Sequence, residues 1–76
     1  MKANTSIYRN PNGDEVCRSY NAIIAKRDAS GHVTLDRKYW NYSATTGKHR
    51  NAFLGEGVAD TRKKIANGTY SLDYLT

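Results

Sequence analysis

The residue types able to do chemistry gather in one stretch, Tyr39-Trp40-Asn41-Tyr42-Ser43-Ala44-Thr45-Thr46-Gly47-Lys48-His49-Arg50. Within it, Thr46-Gly47-Lys48 has the ending of a phosphate-binding loop, in which glycine lets backbone N–H groups approach phosphate oxygens and the lysine reaches them. That loop also needs a glycine five residues before the second one, and Ser or Thr after the lysine. Tyr42 and His49 hold those places. Nucleotide hydrolysis is therefore not expected.

A nucleophilic site is the next possibility. Cys17, His49 and an acid are not excluded by spacing, because such triads are assembled in space. Cys17 lies inside a strand pattern, however, with no following helix and no glycine elbow to expose it, so it reads as a small half-buried residue. The two histidines, His32 and His49, have no carboxylate pair or second ligand at helical spacing, and one cysteine cannot form an internal disulfide. The expectation is a non-catalytic protein with no cofactor and no metal.

What remains is charge. Residues 37–64 carry seven Lys and Arg against two acids, whereas residues 1–36 carry five against four. Residues 37–64 thus carry a net +5, equal to the formal excess of the whole chain. Lys48, Arg50, Arg62, Lys63 and Lys64 are the candidate partner-facing residues, with Tyr42 beside them. Such a pattern suits an anionic partner, since phosphate contacts need only surface cations and aromatic rings add base stacking when exposed. A solvated helical surface that keeps a small protein soluble accounts for it equally well.

The elements that must position these residues follow from periodicity. Seventy-six residues make one small domain, 1–76, with residues 1–5 expected to fray and a thin core. That thin core is compatible with a monomer or a weak homodimer. Ser6–Arg9 reads as a short strand closed by Asn10-Pro11-Asn12-Gly13-Asp14, a strong turn signal. Glu15–Arg27 reads as one long strand with Val16, Tyr20, Ala22 and Ile24 inward. After the turn at 28–31, Val33 and Leu35 continue the alternation, and a third strand is expected over 32–42. The phase breaks before Trp40 and Tyr42, so a bulge lies at 36–38, or the strand ends and restarts there, or Tyr39 takes the core face and leaves Trp40 and Tyr42 exposed.

Helices are expected near 45–54 and 58–67. Ser43 is the candidate N-cap of the first, with Thr45 as the alternative, and Thr46 stands three residues after Ser43 as a partial capping box. Gly47 inside it costs about 1 kcal/mol relative to Ala, which argues for a short or irregular helix. In the second, Asp60 lies early and the basic run late, as the helix dipole prefers. Tyr70, Leu72 and Tyr74 alternate in the tail, as a packed segment or a short edge strand. The fold class is α+β: a small antiparallel meander of two to three strands followed by two short helices packed on one face. The expected core is Val16, Tyr20, Ala22, Ile24, Val33, Leu35, Trp40, Phe53, Leu54 and Ile65.

Ser19-Tyr20-Asn21, Ile24-Ala25, Val33, Leu35 and then Trp40-Asn41-Tyr42-Ser43-Ala44-Thr45-Thr46-Gly47-Lys48-His49 resemble a family of small proteins encoded in tailed-phage genomes. The aromatic-x-Tyr-Ser-x-Thr-Thr-x-x-His pattern is the most specific part, and the resemblance covers roughly residues 17–70. It carries no activity. It implies expression in the bacterial cytoplasm and a task directed at the host. The functional expectation is an accessory protein that binds and inhibits or modulates a host protein or nucleoprotein complex, of the anti-CRISPR or other anti-defence kind. The alternative is a small basic protein that binds DNA or RNA directly. No membrane partner is expected, because the longest apolar run is only Ala22-Ile23-Ile24-Ala25.

Overall fold

Five strands form in the computed structural model, which describes residues 5–75. They are β1 (Thr5–Arg9), β2 (Glu15–Ser19), β3 (Ala22–Arg27), β4 (Val33–Asp36) and β5 (Ser71–Asp73), with α1 (Ala44–Leu54) and α2 (Val58–Ala66) between the last two. The sheet runs in chain order, antiparallel from β1 to β4 and parallel between β4 and β5. The fold is α+β as expected, with more strands than the two or three that periodicity indicated.

One extra strand comes from the segment 15–27, which is a hairpin and not one long strand. Ser19 pairs with Ala22 across a two-residue turn at Tyr20-Asn21. Tyr20 takes φ 55°, a left-handed conformation in which glycine is the usual occupant. Nothing at that position announced a turn. Tyr20, expected inside, is instead 54% exposed. A β-bulge between Cys17 and Arg18 further confuses the alternation, so that the consecutive residues Ile24 and Ala25 are both buried.

The strand expected over 32–42 stops at Asp36. Its buried carboxylate accepts hydrogen bonds from the N–H groups of Lys38 (3.1 Å), Tyr39 (2.8 Å) and Leu75 (2.7 Å). Trp40 N–H donates to the Asp36 carbonyl at 3.0 Å. The chain therefore turns over residues 37–42, which explains the broken phase without a bulge at 36–38. The tail supplies a short edge strand, β5, one of the two alternatives left open for it.

α1 lies across β2 and β3. The core cluster is Cys17, Ile24, Ala25, Val33, Leu35, Phe53 and Tyr70. Val16 is buried as well, as expected. Ala22, Trp40, Leu54 and Ile65, all expected in the core, are half-buried and pack around it together with Tyr39 and Leu72. Thr5, the last of the residues expected to fray, opens β1, and residues 1–4 lie outside the described residues. No helix among the described residues is long and apolar enough to cross a membrane.

Candidate functional site

The site is built around the start of α1. Ser43 caps it from an extended backbone: its Oγ accepts from Thr46 N–H at 3.1 Å and donates to Thr46 Oγ1 at 3.1 Å. α1 runs regularly through Gly47 for eleven residues. It ends at Gly55, whose left-handed φ of 71° lets its N–H return to the Asn51 carbonyl at 2.7 Å. α2 begins immediately, capped by Gly57 with no side chain to serve its first N–H groups.

Arg50 is the main departure from expectation. Assigned by sequence to the partner-facing surface, it is 1% exposed. Helical spacing points it back under the residues that lead into α1. Its Nη1 donates to the Trp40 carbonyl (2.8 Å) and Asn41 Oδ1 (2.9 Å), and its Nη2 to Asn51 Oδ1 (2.9 Å). All three acceptors are neutral. Burial, together with the nearby charge of Arg62, lowers its pKa, with Glu56 acting weakly in the opposite sense. The guanidinium does not require glycine at position 47: a Cβ there would stand 3.5 Å from Nη2, in ordinary contact.

Trp40 links the two arginines. The Arg50 guanidinium carbon lies 5.3 Å from its ring centroid and that of Arg62 5.4 Å. Cation–π attraction of this kind holds Arg62 over the ring although a second positive charge is close. Lys48, Arg50 and Arg62 line one groove of about 440 Å³ with Asn41, Asn51 and Val58. No acidic side chain lines it.

The other expected residues lie elsewhere. Lys63 is exposed but outside the groove. Lys64, also expected to face a partner, is held by Glu56: its Nζ donates to Oε1 at 2.6 Å. The same carboxylate accepts from Tyr70 OH (3.0 Å) and Thr61 Oγ1 (2.7 Å). Burial works against ionisation of Glu56, but these three donors outweigh it and hold its pKa below the usual carboxylate value. The Lys64 pKa is raised in turn by that bond. Tyr42 is 69% exposed and opens onto a second cleft of about 300 Å³ with Tyr20, Asn21, Tyr39 and Thr46. The Tyr39 and Tyr42 rings stand 5.2 Å apart, and the Tyr20 and His49 rings 6.1 Å apart.

Sequence reasoning missed Glu56 and Asp36, which do the local organising. Glu56 had a legible signal, an acid just ahead of a helix start with Thr61 and Lys64 on the following turns. Cys17 is fully buried, not half-buried, and burial pushes its thiol up to about 11, so it is protonated at neutral pH. His49 does not meet Cys17 in a hydrogen bond; its Nδ1 pairs with Ser19 Oγ at 2.7 Å, tying the β2–β3 hairpin to α1. Among the described residues, no three His, Cys, Asp or Glu side chains gather as a metal site.

The chain matches the model of a family of unknown function (DUF8033) over residues 1–68. No curated protein and no solved structure matches it.

Proposed function

The chain belongs to that family, and we propose that it is a non-catalytic binding protein whose groove-side basic face engages an anionic partner. The partner in this reading is a host protein or nucleoprotein complex that the chain inhibits or modulates, in the bacterial cytoplasm. The observation that carries it is the convergence of Lys48, Arg50 and Arg62 on one groove without an acidic side chain in its lining. Like charges brought together cost free energy in the isolated protein, and an anionic surface offsets that cost on binding. The resemblance of the Trp40–His49 segment to small tailed-phage proteins supports a host component as the target.

A second reading, direct binding of DNA or RNA, is favoured by the neighbouring cleft. Tyr20 and Tyr42, both exposed, line it near the α1 start. Exposed rings beside a cationic groove are the parts of a single-strand platform.

The test is capture of the partner from host lysate by the wild type and by a Lys48→Glu, Arg62→Glu double variant, with and without nuclease. Both residues are exposed, so folding should change by less than about 0.5 kcal/mol for Lys48→Glu and by about 1 kcal/mol for Arg62→Glu, which loses its contact with the Trp40 ring. The reading expects the variant to lose its partner and to show a flatter salt dependence. Retention of the partner at wild-type strength by a folded variant refutes it. Loss of all capture on nuclease treatment of the wild type moves the assignment to the second reading.

A further inference from the structure

Arg50 is a buried charge that takes part in no ion pair, and Glu56 compensates it only in part. The ion pairs among the described residues are Arg27–Glu15 and Lys64–Glu56, and neither includes it. A guanidinium has five N–H donors. Three are used, all on neutral oxygens, and the buried Nε has no partner. Burying an ion this way is costly, and the cost rises when a second cation, Arg62, shares the same tryptophan ring. A positioning role for the Trp40 carbonyl and the Asn41 and Asn51 amides accounts for the three bonds. It does not account for two further cations at the same place.

A second feature lies beside the same groove. Val58, the first residue of α2, is part of its lining, and Gly57 leaves the first-turn N–H groups of that helix without a side-chain acceptor. A helix N-terminus carries partial positive charge and outward-pointing donors. Asp60 lies in that first turn but not in the groove lining.

We propose that the groove between the start of α1 and the first turn of α2 is a phosphate-ester site, with Lys48, Arg62 and the α2 N–H groups as direct donors and buried Arg50 as the charge behind them. Phosphate fits this arrangement better than carboxylate. Its oxygens are arranged tetrahedrally and reach a lysine, a guanidinium and backbone donors that approach from different sides, whereas a carboxylate offers two oxygens in one plane. The groove, at about 440 Å³, also leaves room for the group that bears the phosphate. The inference deepens the proposed function and rests on it for taking this face as the one a partner meets. The phosphate is that of a nucleic-acid strand or of a free nucleotide.

The experiment is a titration of the isotopically labelled full chain followed by amide NMR at constant ionic strength. The probes are inorganic phosphate, adenosine monophosphate, a short oligothymidylate and a polyglutamate peptide. The expected result is saturable shifts at Val58, Ala59 and the 43–48 backbone with phosphate, and tighter binding of one phosphate ester. Tighter oligothymidylate identifies a strand, and tighter adenosine monophosphate a free nucleotide. Arg62→Gln should weaken binding about tenfold, the effect of losing one good charge-assisted contact, while Lys63→Gln, outside the groove, should leave it unchanged. Non-saturating shifts, equal losses in the two variants, or polyglutamate binding at these amides more tightly than any phosphate each overturn the proposal. Its failure is separable from that of the broader reading. If phosphate does not bind but the Lys48→Glu, Arg62→Glu variant still loses its partner, the phosphate site falls and the basic face stands. If phosphate binds but that variant keeps its partner, the reverse holds.

Discussion

Replacing Glu56 with alanine removes the one group that joins the α1–α2 connection, the middle of α2 and the residue before β5. Three donors lose their acceptor: Lys64 Nζ, Thr61 Oγ1 and Tyr70 OH. Their situations differ. Lys64 is partly exposed and can return to water, so its loss counts for little. Thr61 is fully buried but retains a second acceptor, the Gly57 carbonyl at 3.2 Å. Tyr70 is buried and its hydroxyl has no other acceptor among the described residues, so it bears about 1–3 kcal/mol for the unmade bond. With the lost charge-assisted bond of Thr61, the total for Glu56→Ala is about 3 kcal/mol. For a domain of this size that lowers Tm by roughly 12–24 °C. Glu56→Gln keeps the volume and one oxygen, which can still accept from Lys64 and Tyr70, so it should cost only about 1 kcal/mol. Urea unfolding of both variants at neutral pH measures the difference. Equal losses would show that the Lys64 ion pair, not the buried hydroxyls, holds the junction, and a loss below about 1 kcal/mol for alanine would remove Glu56 from any structural role.

The same carboxylate gives a pH signature. Its pKa is lowered in the folded chain, so the stabilisation it contributes is complete above its ordinary value of 4.5 and is lost as pH falls through the lowered folded value. Glu56→Gln should flatten that acid limb in a pH series of thermal melts, and an unchanged limb refutes the assignment. Gly47→Ala should stabilise by up to about 1 kcal/mol, because the new methyl meets Arg50 at ordinary contact distance and glycine is a poor helix former. A clear loss of stability would show that the guanidinium needs the empty space. At position 20 the usual order is expected to reverse: Tyr20→Gly should melt above Tyr20→Ala, since alanine keeps the cost of φ 55° and glycine does not. Ser43→Ala should cost about 1 kcal/mol in chemical unfolding, and a change of only a few tenths would move the cap away from Ser43.

The parts of the fold that were legible are those with a local chemical cause. Ser43 before a Thr-rich start is a cap because its hydroxyl can reach an orphan N–H, and the helices fall within a residue or so of where capping and glycine place them. Val16, Ile24, Val33, Leu35 and Phe53 are buried because alternation and helical spacing leave them little choice. The hairpin at Tyr20-Asn21 was not legible, since a tyrosine there contradicts the backbone preference that marks such turns. The basic face was legible only as a count. Charge says nothing about direction, and whether Arg50 points outward or beneath the 40–41 backbone depends on a turn that Asp36 creates. Lys64 was misplaced for a similar reason, because its partner Glu56 lies eight residues away across a helix junction.

The parallel pairing of β5 with β4 imposes an order of assembly. β1 to β4 meet their neighbours through short turns, so those contacts form between residues close in sequence. β5 reaches Thr34 and Leu35 only after both helices have crossed over, with Ser71 opposite Thr34. Closing a loop of that length costs roughly 3 kcal/mol of chain entropy before any contact repays it. The meander and the helices docked on it are thus the early structure, and β5 is the late latch, fastened by the bond from Arg37 N–H to the Asp73 carbonyl and by Leu75 N–H on the Asp36 carboxylate. Its three residues should open most readily under native conditions, so pulsed hydrogen exchange should find their amides protected last on refolding and released first at equilibrium. Protection of β5 as early as that of β2 and β3 would mean that the crossover is already organised in the unfolded chain.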